Sequence, residues 1–177
     1  MTITFEKLQT THFPLLLKWL MTPHVRAWWD SNVQWTAELI TQKYGQYVKG
    51  YKRLTLPTGI IEKPMHAYII LQDKKQIGYI QFYNKHDFPS EYGYENLGLP
   101  VNLAAIDWYI GEAAYLRKGI GTKALTLFVD EYVLKNFDAV FVDPDTANIA
   151  GIRTYEKAGF SHIKTIGDIS WMLMSKN

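Results

Sequence analysis

Two glycines at the head of an amphipathic helix, downstream of an apolar strand, restrict this chain more than any other feature. Leu103–Ile110 reads Leu-Ala-Ala-Ile-Asp-Trp-Tyr-Ile, a buried strand. The loop Leu116-Arg117-Lys118-Gly119-Ile120-Gly121-Thr122 follows, and residues 121–134 form a helix whose apolar face is Ala124, Leu127, Phe128 and Tyr132. Ala139–Val142 is then a short buried strand. Strand, helix and strand in that order imply a parallel pair with a crossover helix.

The flanking segments complete an α/β chain. Residues 3–8 read as a strand. A helix opens at Thr11 or His12, carries Phe13, Leu16, Leu17 and Leu20, and stops before Pro23. Residues 24–30 (His-Val-Arg-Ala-Trp-Trp-Asp) read as a loop, and residues 36–51 as a helix capped by Thr36 with Leu39, Ile40, Tyr44 and Tyr47 on one face. Strands begin after Pro57-Thr58-Gly59, with His66–Gln72 and residues 76–84 forming a hairpin about Asp73-Lys74-Lys75. Residues 85–102 make a long loop, the kind that usually carries function. Asp143-Pro144-Asp145-Thr146 ends the short strand. A helix over residues 148–158 is closed by Gly159, and strands over residues 160–165 and 169–174 finish the chain. The expected architecture is one mixed α/β domain over residues 1–177, antiparallel strands first and the βαβ unit after them.

Composition narrows the class. With 177 residues, 47% hydrophobic and 20% charged, the chain suits one soluble globular core. No apolar run reaches the ~20 residues of a membrane span. The first residues lack a signal peptide's basic and apolar regions, so a cytoplasmic protein is expected. There is no cysteine, which excludes disulfides, thiolate metal sites and a cysteine nucleophile. No metal is expected. A net charge of +2 gives no basic face for nucleic acid. Twelve Tyr and six Trp suit an aromatic-lined cleft and a packed core equally well.

Free N–H groups at a helix start, with Arg117 and Lys118 beside them, suit an anion, although for the two glycines taken alone a solvent-facing turn into a helix is the favoured explanation. The pattern Gly119-x-Gly121-x-x-Ala124 formally matches a dinucleotide fingerprint. That fingerprint follows its strand at once, whereas residues 111–118 intervene here, and too little chain remains for a doubly wound domain. A P-loop is absent, since no Gly-Lys-Ser/Thr occurs. A ligand that needs only a diphosphate clamp survives the elimination.

The loop at residues 116–122, the preceding strand, and Asn148 followed by Tyr155-Glu156-Lys157-Ala158-Gly159-Phe160 resemble the GNAT acetyltransferase superfamily. The family's loop usually opens on Arg or Gln; here Leu116 holds that place and the arginine comes one residue later. Within the superfamily the chain is most similar to aminoglycoside 6′-N-acetyltransferases. The echoes are His24-Val25-Arg26-Ala27-Trp28-Trp29, Ile77-Gly78-Tyr79-Ile80-Gln81-Phe82-Tyr83, Ile106-Asp107, Asp143-Pro144 and residues 152–160.

The resemblance implies a GNAT fold and direct acetyl transfer from acetyl-CoA to an amine. It implies cofactor contacts at Trp108, Tyr109, Ile110, Leu116, Arg117, Lys118, Gly119, Ile120, Gly121, Thr122 and Asn148. It makes Tyr155 the acid for the departing thiolate and Asp107 the carboxylate at the amine. Asp107 also stands out unaided, because a charge inside an apolar strand is costly without a purpose. At Tyr155 the residue pattern alone points to a core tyrosine, and at Asn148 to a helix cap as readily as to a ligand. For a cationic acceptor the candidates are Trp28, Trp29, Asp30, Gln81, Glu91, Tyr92, Tyr94, Glu95 and Asp143. Plain solvation of the loop acids and structural packing of the tryptophans are the competing explanations. The leading acceptor is the 6′-amine of aminoglycosides. The alternatives are a siderophore precursor, a polyamine, a protein N-terminus, or a CoA-binding module without activity.

Overall fold

The computed structural model describes residues 1–88 and 98–176. Its strands are β1 (Ile3–Lys7), β2 (Tyr51–Leu56), β3 (Gly59–Pro64), β4 (His66–Gln72), β5 (Lys75–Asn84), β6 (Leu103–Ile110), β7 (Ala139–Val142), β8 (Ser161–Ile166) and β9 (Ile169–Ser175). Its helices are α1 (Phe13–Leu20), α2 (Pro23–Arg26), α3 (Ala37–Val48), α4 (Ile120–Phe128) and α5 (Ile149–Lys157). Contacts cluster into two compact units: residues 1–81 with 108–118, and residues 82–107 with 119–177. The division passes through β5 and β6, which run on continuously in the chain.

In the first unit β1, β4 and β5 lie in that order, with the end of β6 beside β5. β1 pairs antiparallel with β4, from Ile3 opposite Gln72 to Lys7 opposite Tyr68. The β4–β5 turn has Asp73 and Lys74 at φ +48° and +68°, the left-handed pair that a two-residue hairpin demands. α1 buries Leu16, Trp19 and Leu20, spaced three and four residues apart. α3 is capped as expected, with Thr36 Oγ1 accepting from the Leu39 N–H at 3.2 Å. It buries Ile40, Tyr44 and Tyr47.

Three details differ from the sequence expectation. Residues 23–26 are helical rather than loop, because Pro23 starts a turn instead of ending one; its fixed φ suits the first helical position. β2 and β3 form a separate hairpin, Leu56 opposite Gly59, so strands begin before Pro57 rather than after it. The helix of residues 121–134 starts at Ile120 and ends as a wider turn, Val129–Val133, in which the Leu134 N–H donates to Val129 O at 2.9 Å.

In the second unit the order is β6-β7-β9-β8. β6 and β7 are parallel, Leu103 opposite Ala139, and α4 is the crossover between them. β7–β9 and β9–β8 are antiparallel. Leu103, Ala105, Ala139, Phe141 and Trp171 form a core cluster here. Antiparallel strands early and a βαβ unit late are the order the sequence implies.

Candidate active site

β6 is buried at every position except two. Leu103, Ala104, Ala105 and Ile106 are sealed, Tyr109 and Ile110 are again buried, and Asp107 and Trp108 alone are half-buried. Asp107 is therefore neither solvent-facing nor sealed in the core. A carboxylate so placed lies at a partly dehydrated surface, where Coulomb forces exceed those in water.

Past Ile110 the chain makes a short turn, Ala113–Tyr115, and enters the glycine loop. Arg117 and Gly119 both have positive φ, +58° and +72°. A Cβ on Gly119 would meet no protein atom within 4 Å, so the glycine is there for its backbone conformation and leaves open space above it. Having no side chain, Gly119 cannot cap α4 itself. The first helical bond present is from Lys123 N–H to Gly119 O at 3.1 Å. Arg117 and Lys118 are exposed, Leu116, Gly121 and Thr122 half-buried, and the Ile120 side chain is buried. An uncapped helix start under open space, next to two exposed cations, fits a diphosphate.

α5 carries the remaining predicted cofactor and acid residues. Asn148 Oδ1 accepts from the Gly151 N–H at 3.0 Å, the helix-cap role anticipated as one of its two explanations. Its carboxamide nitrogen makes no hydrogen bond among the described residues, so capping and ligand binding are compatible. Tyr155 is half-buried, its ring 5.5 Å from Phe160 in an edge contact. It is not the sealed core tyrosine that its helical spacing suggests. Asp143, just past β7, is also half-buried.

The structure separates the tryptophan pair. Trp28 is 51% exposed. Trp29 turns inward, its ring 5.0 Å from Tyr109 and 5.9 Å from Tyr79, both edge-on. Tyr79 and Tyr109 stack at 5.6 Å, and the Tyr79 hydroxyl donates to Gln81 Oε1 at 2.6 Å. Trp29, Gln81 and Tyr109 thus meet through Tyr79, which the sequence reading quoted without assigning it a role. Tyr44 packs on Tyr79 at 5.6 Å. Burial raises the Tyr44 and Tyr109 hydroxyls well above the usual phenol range, and the nearby Asp30 charge adds to this. Both stay neutral at any working pH. Asp30 is exposed, has φ +44°, and pairs with Lys43 at 2.7 Å. Glu91, Tyr92, Tyr94 and Glu95 lie outside the described residues.

Four residues beside the end of β6 escaped the sequence reading. His24 Nε2 lies 2.9 Å from Ile110 O. Lys18 Nζ and Trp19 Nε1 donate to Glu112 Oε1 at 2.6 and 2.8 Å. Those two hydrogen bonds hold the Glu112 carboxyl below its ordinary range, against a smaller opposing effect of burial. A Cβ on Gly111 would lie 2.2 Å from the Trp19 ring. The sequence signal was faint: a His and a Glu, each next to apolar residues, with no spacing that links them.

An acetyltransferase (GNAT) domain description matches residues 9–167. The chain belongs to the GNAT acetyltransferase family. Aminoglycoside N(6′)-acetyltransferase type 1 from Klebsiella pneumoniae and from Serratia marcescens is 29% identical over 167 residues, covering 90% of this chain and 75% of each relative. Among solved structures, aminoglycoside acetyltransferase AAC(6′)-Ib in complex with coenzyme A superposes with a TM-score of 0.81 at 23% identity, over 99% of this chain and 95% of that one. The same enzyme with ribostamycin and coenzyme A gives 0.83 at 23% identity, covering 99% and 94%. These structures show that the GNAT fold is shared. As a GNAT, this chain is an acetyl-CoA-dependent N-acetyltransferase. Among the described residues no helix is long and apolar enough to cross a membrane, and no His, Cys, Asp and Glu cluster is built for a metal.

Proposed function

We propose that this GNAT enzyme acetylates a primary amine on a small cationic acceptor, with the 6′-amine of aminoglycosides as the leading substrate. The observation that carries the reading is Asp107, a half-buried carboxylate in a strand whose other residues, Trp108 apart, are sealed from water. The named functions of the Klebsiella and Serratia relatives point the same way. Whether the chain works as a single domain over residues 1–177 belongs to the same proposal.

An alkylammonium has a pKa of about 10, so only about one molecule in a thousand is nucleophilic at neutral pH. Asp107 holds the ammonium and takes one proton from it, and the neutral nitrogen then attacks the thioester carbonyl carbon. Acetyl-CoA supplies the activated acetyl group. Backbone N–H groups of Trp108, Tyr109 and Ile110 hold the pantetheine arm and polarise the carbonyl. As the C–S bond breaks, the Tyr155 hydroxyl gives its proton to the thiolate sulfur, and the proton that the new amide nitrogen sheds restores the phenol. Amides of residues 119–122 hold the diphosphate, Arg117 and Lys118 add charge, Leu116 bears on the cofactor beside them, and the Asn148 carboxamide nitrogen binds the arm. No cysteine exists to carry the acetyl group, which favours direct transfer.

On the acceptor side, exposed Trp28 offers a face for a sugar ring or cation, while Trp29 and Gln81 both contact Tyr79. Asp30, Asp143, Glu91 and Glu95 supply negative charge, and Tyr92 and Tyr94 further rings. Thiol release from acetyl-CoA, measured with aminoglycosides, polyamines and lysine derivatives in parallel, tests the substrate. Turnover with kanamycin-type amines is expected. Turnover with polyamines and none with any aminoglycoside would discard that substrate class.

A further inference from the structure

The last residues of β6 are gripped from three directions within the first unit. From β5, the Gly78 backbone lies so close that a Cβ would sit 2.4 Å from Tyr109 O, and Ile77 O accepts from the Gly111 and Glu112 N–H groups at 2.8 and 3.1 Å. From α1, the Trp19 ring presses on Gly111, where even one methyl group has no room. The Trp19 ring also meets Tyr109 edge-on at 6.2 Å. Lys18 and Trp19 then tie down Glu112 by its carboxylate. From α2, His24 Nε2 reaches Ile110 O. A carbonyl only accepts, so Nε2 must carry the hydrogen, and this fixes the ring's tautomer when it is neutral.

We propose that His24, with Trp19 and Glu112, is a positioning clamp through which α1 and α2 hold the 109–112 backbone in its cofactor-binding shape. None of the three needs to touch a substrate. The proposal rests on the reading that the amides at 108–110 hold the pantetheine arm. A strand end normally frays, because its groups lose their ladder partners. Here the Ile110 carbonyl is met by His24, the Glu112 carboxylate by Lys18 and Trp19, and the side-chain-free position at Gly111 by the Trp19 ring, all from α1 or α2. Their sequence separations from β6 run from 86 to 94 residues, so the grip is tertiary.

The test uses the ligand-free protein and its coenzyme A complex. His24→Phe keeps an aromatic ring and removes the donor, whereas His24→Gln returns an N–H at similar reach. Amide hydrogen exchange is read at Gly111 and Glu112, with Ile69 and Ile70 of β4 as internal controls. Coenzyme A affinity is read by calorimetry. One lost hydrogen bond corresponds to roughly a 3–10-fold change. His24→Phe should accelerate exchange at Gly111 and Glu112 by that factor, leave the β4 amides alone, and weaken coenzyme A to a similar extent. His24→Gln should restore both. Should His24→Phe fail to fold, Glu112→Ala should produce the same pair of changes. Unchanged exchange at Gly111 and Glu112 overturns the clamp itself. Faster exchange with unchanged coenzyme A affinity overturns the proposal differently, by showing that this backbone does not hold the cofactor.

Discussion

Asp107 and Tyr155 are both half-buried, and partial burial suits proton transfer better than full burial or full exposure. A sealed carboxylate would resist ionising, as the sealed hydroxyls of Tyr44 and Tyr109 do. Tyr155→Phe should lower kcat by roughly 100-fold, the lower range for a general acid, with coenzyme A affinity unchanged in calorimetry. Equal loss of affinity would make Tyr155 a binding residue. Asp107→Asn should abolish measurable turnover yet still bind coenzyme A, and wild-type kinetics would remove the carboxylate from the mechanism. The sequence singled out Asp107 by its apolar neighbours, a local contrast. It did not separate Trp28 from Trp29, because adjacent residues in a short helical turn have the same composition whichever one faces inward.

Among the elements, the start of α4 and the end of β6 each carry residues of the proposed cofactor contacts. Gly119→Ala places a Cβ on a left-handed backbone at a cost of about 1–2 kcal/mol, which a urea titration should register. The same variant should weaken coenzyme A. At the end of β6, Gly111→Ala drives a methyl group into the Trp19 ring and should cost about 1–3 kcal/mol as an overpacked core. Glu112 adds a pH dependence. Its folded-state carboxyl lies below the ordinary value of 4.5, so its contribution is complete above that value and fades as the pH falls through the lowered one. In denaturant titrations the stability gap between wild type and Glu112→Gln should therefore be present at pH 7 and narrow below about pH 4.5. A gap independent of pH would mean that the charge contributes nothing. β2 and β3 were not read as a hairpin because the run from Tyr51 to Leu56 alternates weakly and ends at Pro57, which looks like a boundary. Pairing with β3 across a two-residue turn overrides that local signal.

For the whole molecule, a ligand that binds only the folded state stabilises it by about 2.7 kcal/mol at a hundred times its dissociation constant. At about 2–4 °C per kcal/mol for a chain of this size, coenzyme A should raise the melting temperature by roughly 5–10 °C. An unshifted melting curve would contradict the glycine-loop site.

The sequence by itself determined the βαβ order, the strand Leu103–Ile110, the capped start of α3 and the glycine loop. Each depends on residue type and short spacing: apolar periodicity, a threonine oxygen near a free N–H, a glycine where φ turns positive. The tertiary structure alone decided that Trp29 packs inward while Trp28 stays exposed, and that His24, Trp19 and Glu112 close on the end of β6. Those outcomes depend on residues far apart in the chain meeting at fixed distances, and no local pattern encodes such a distance.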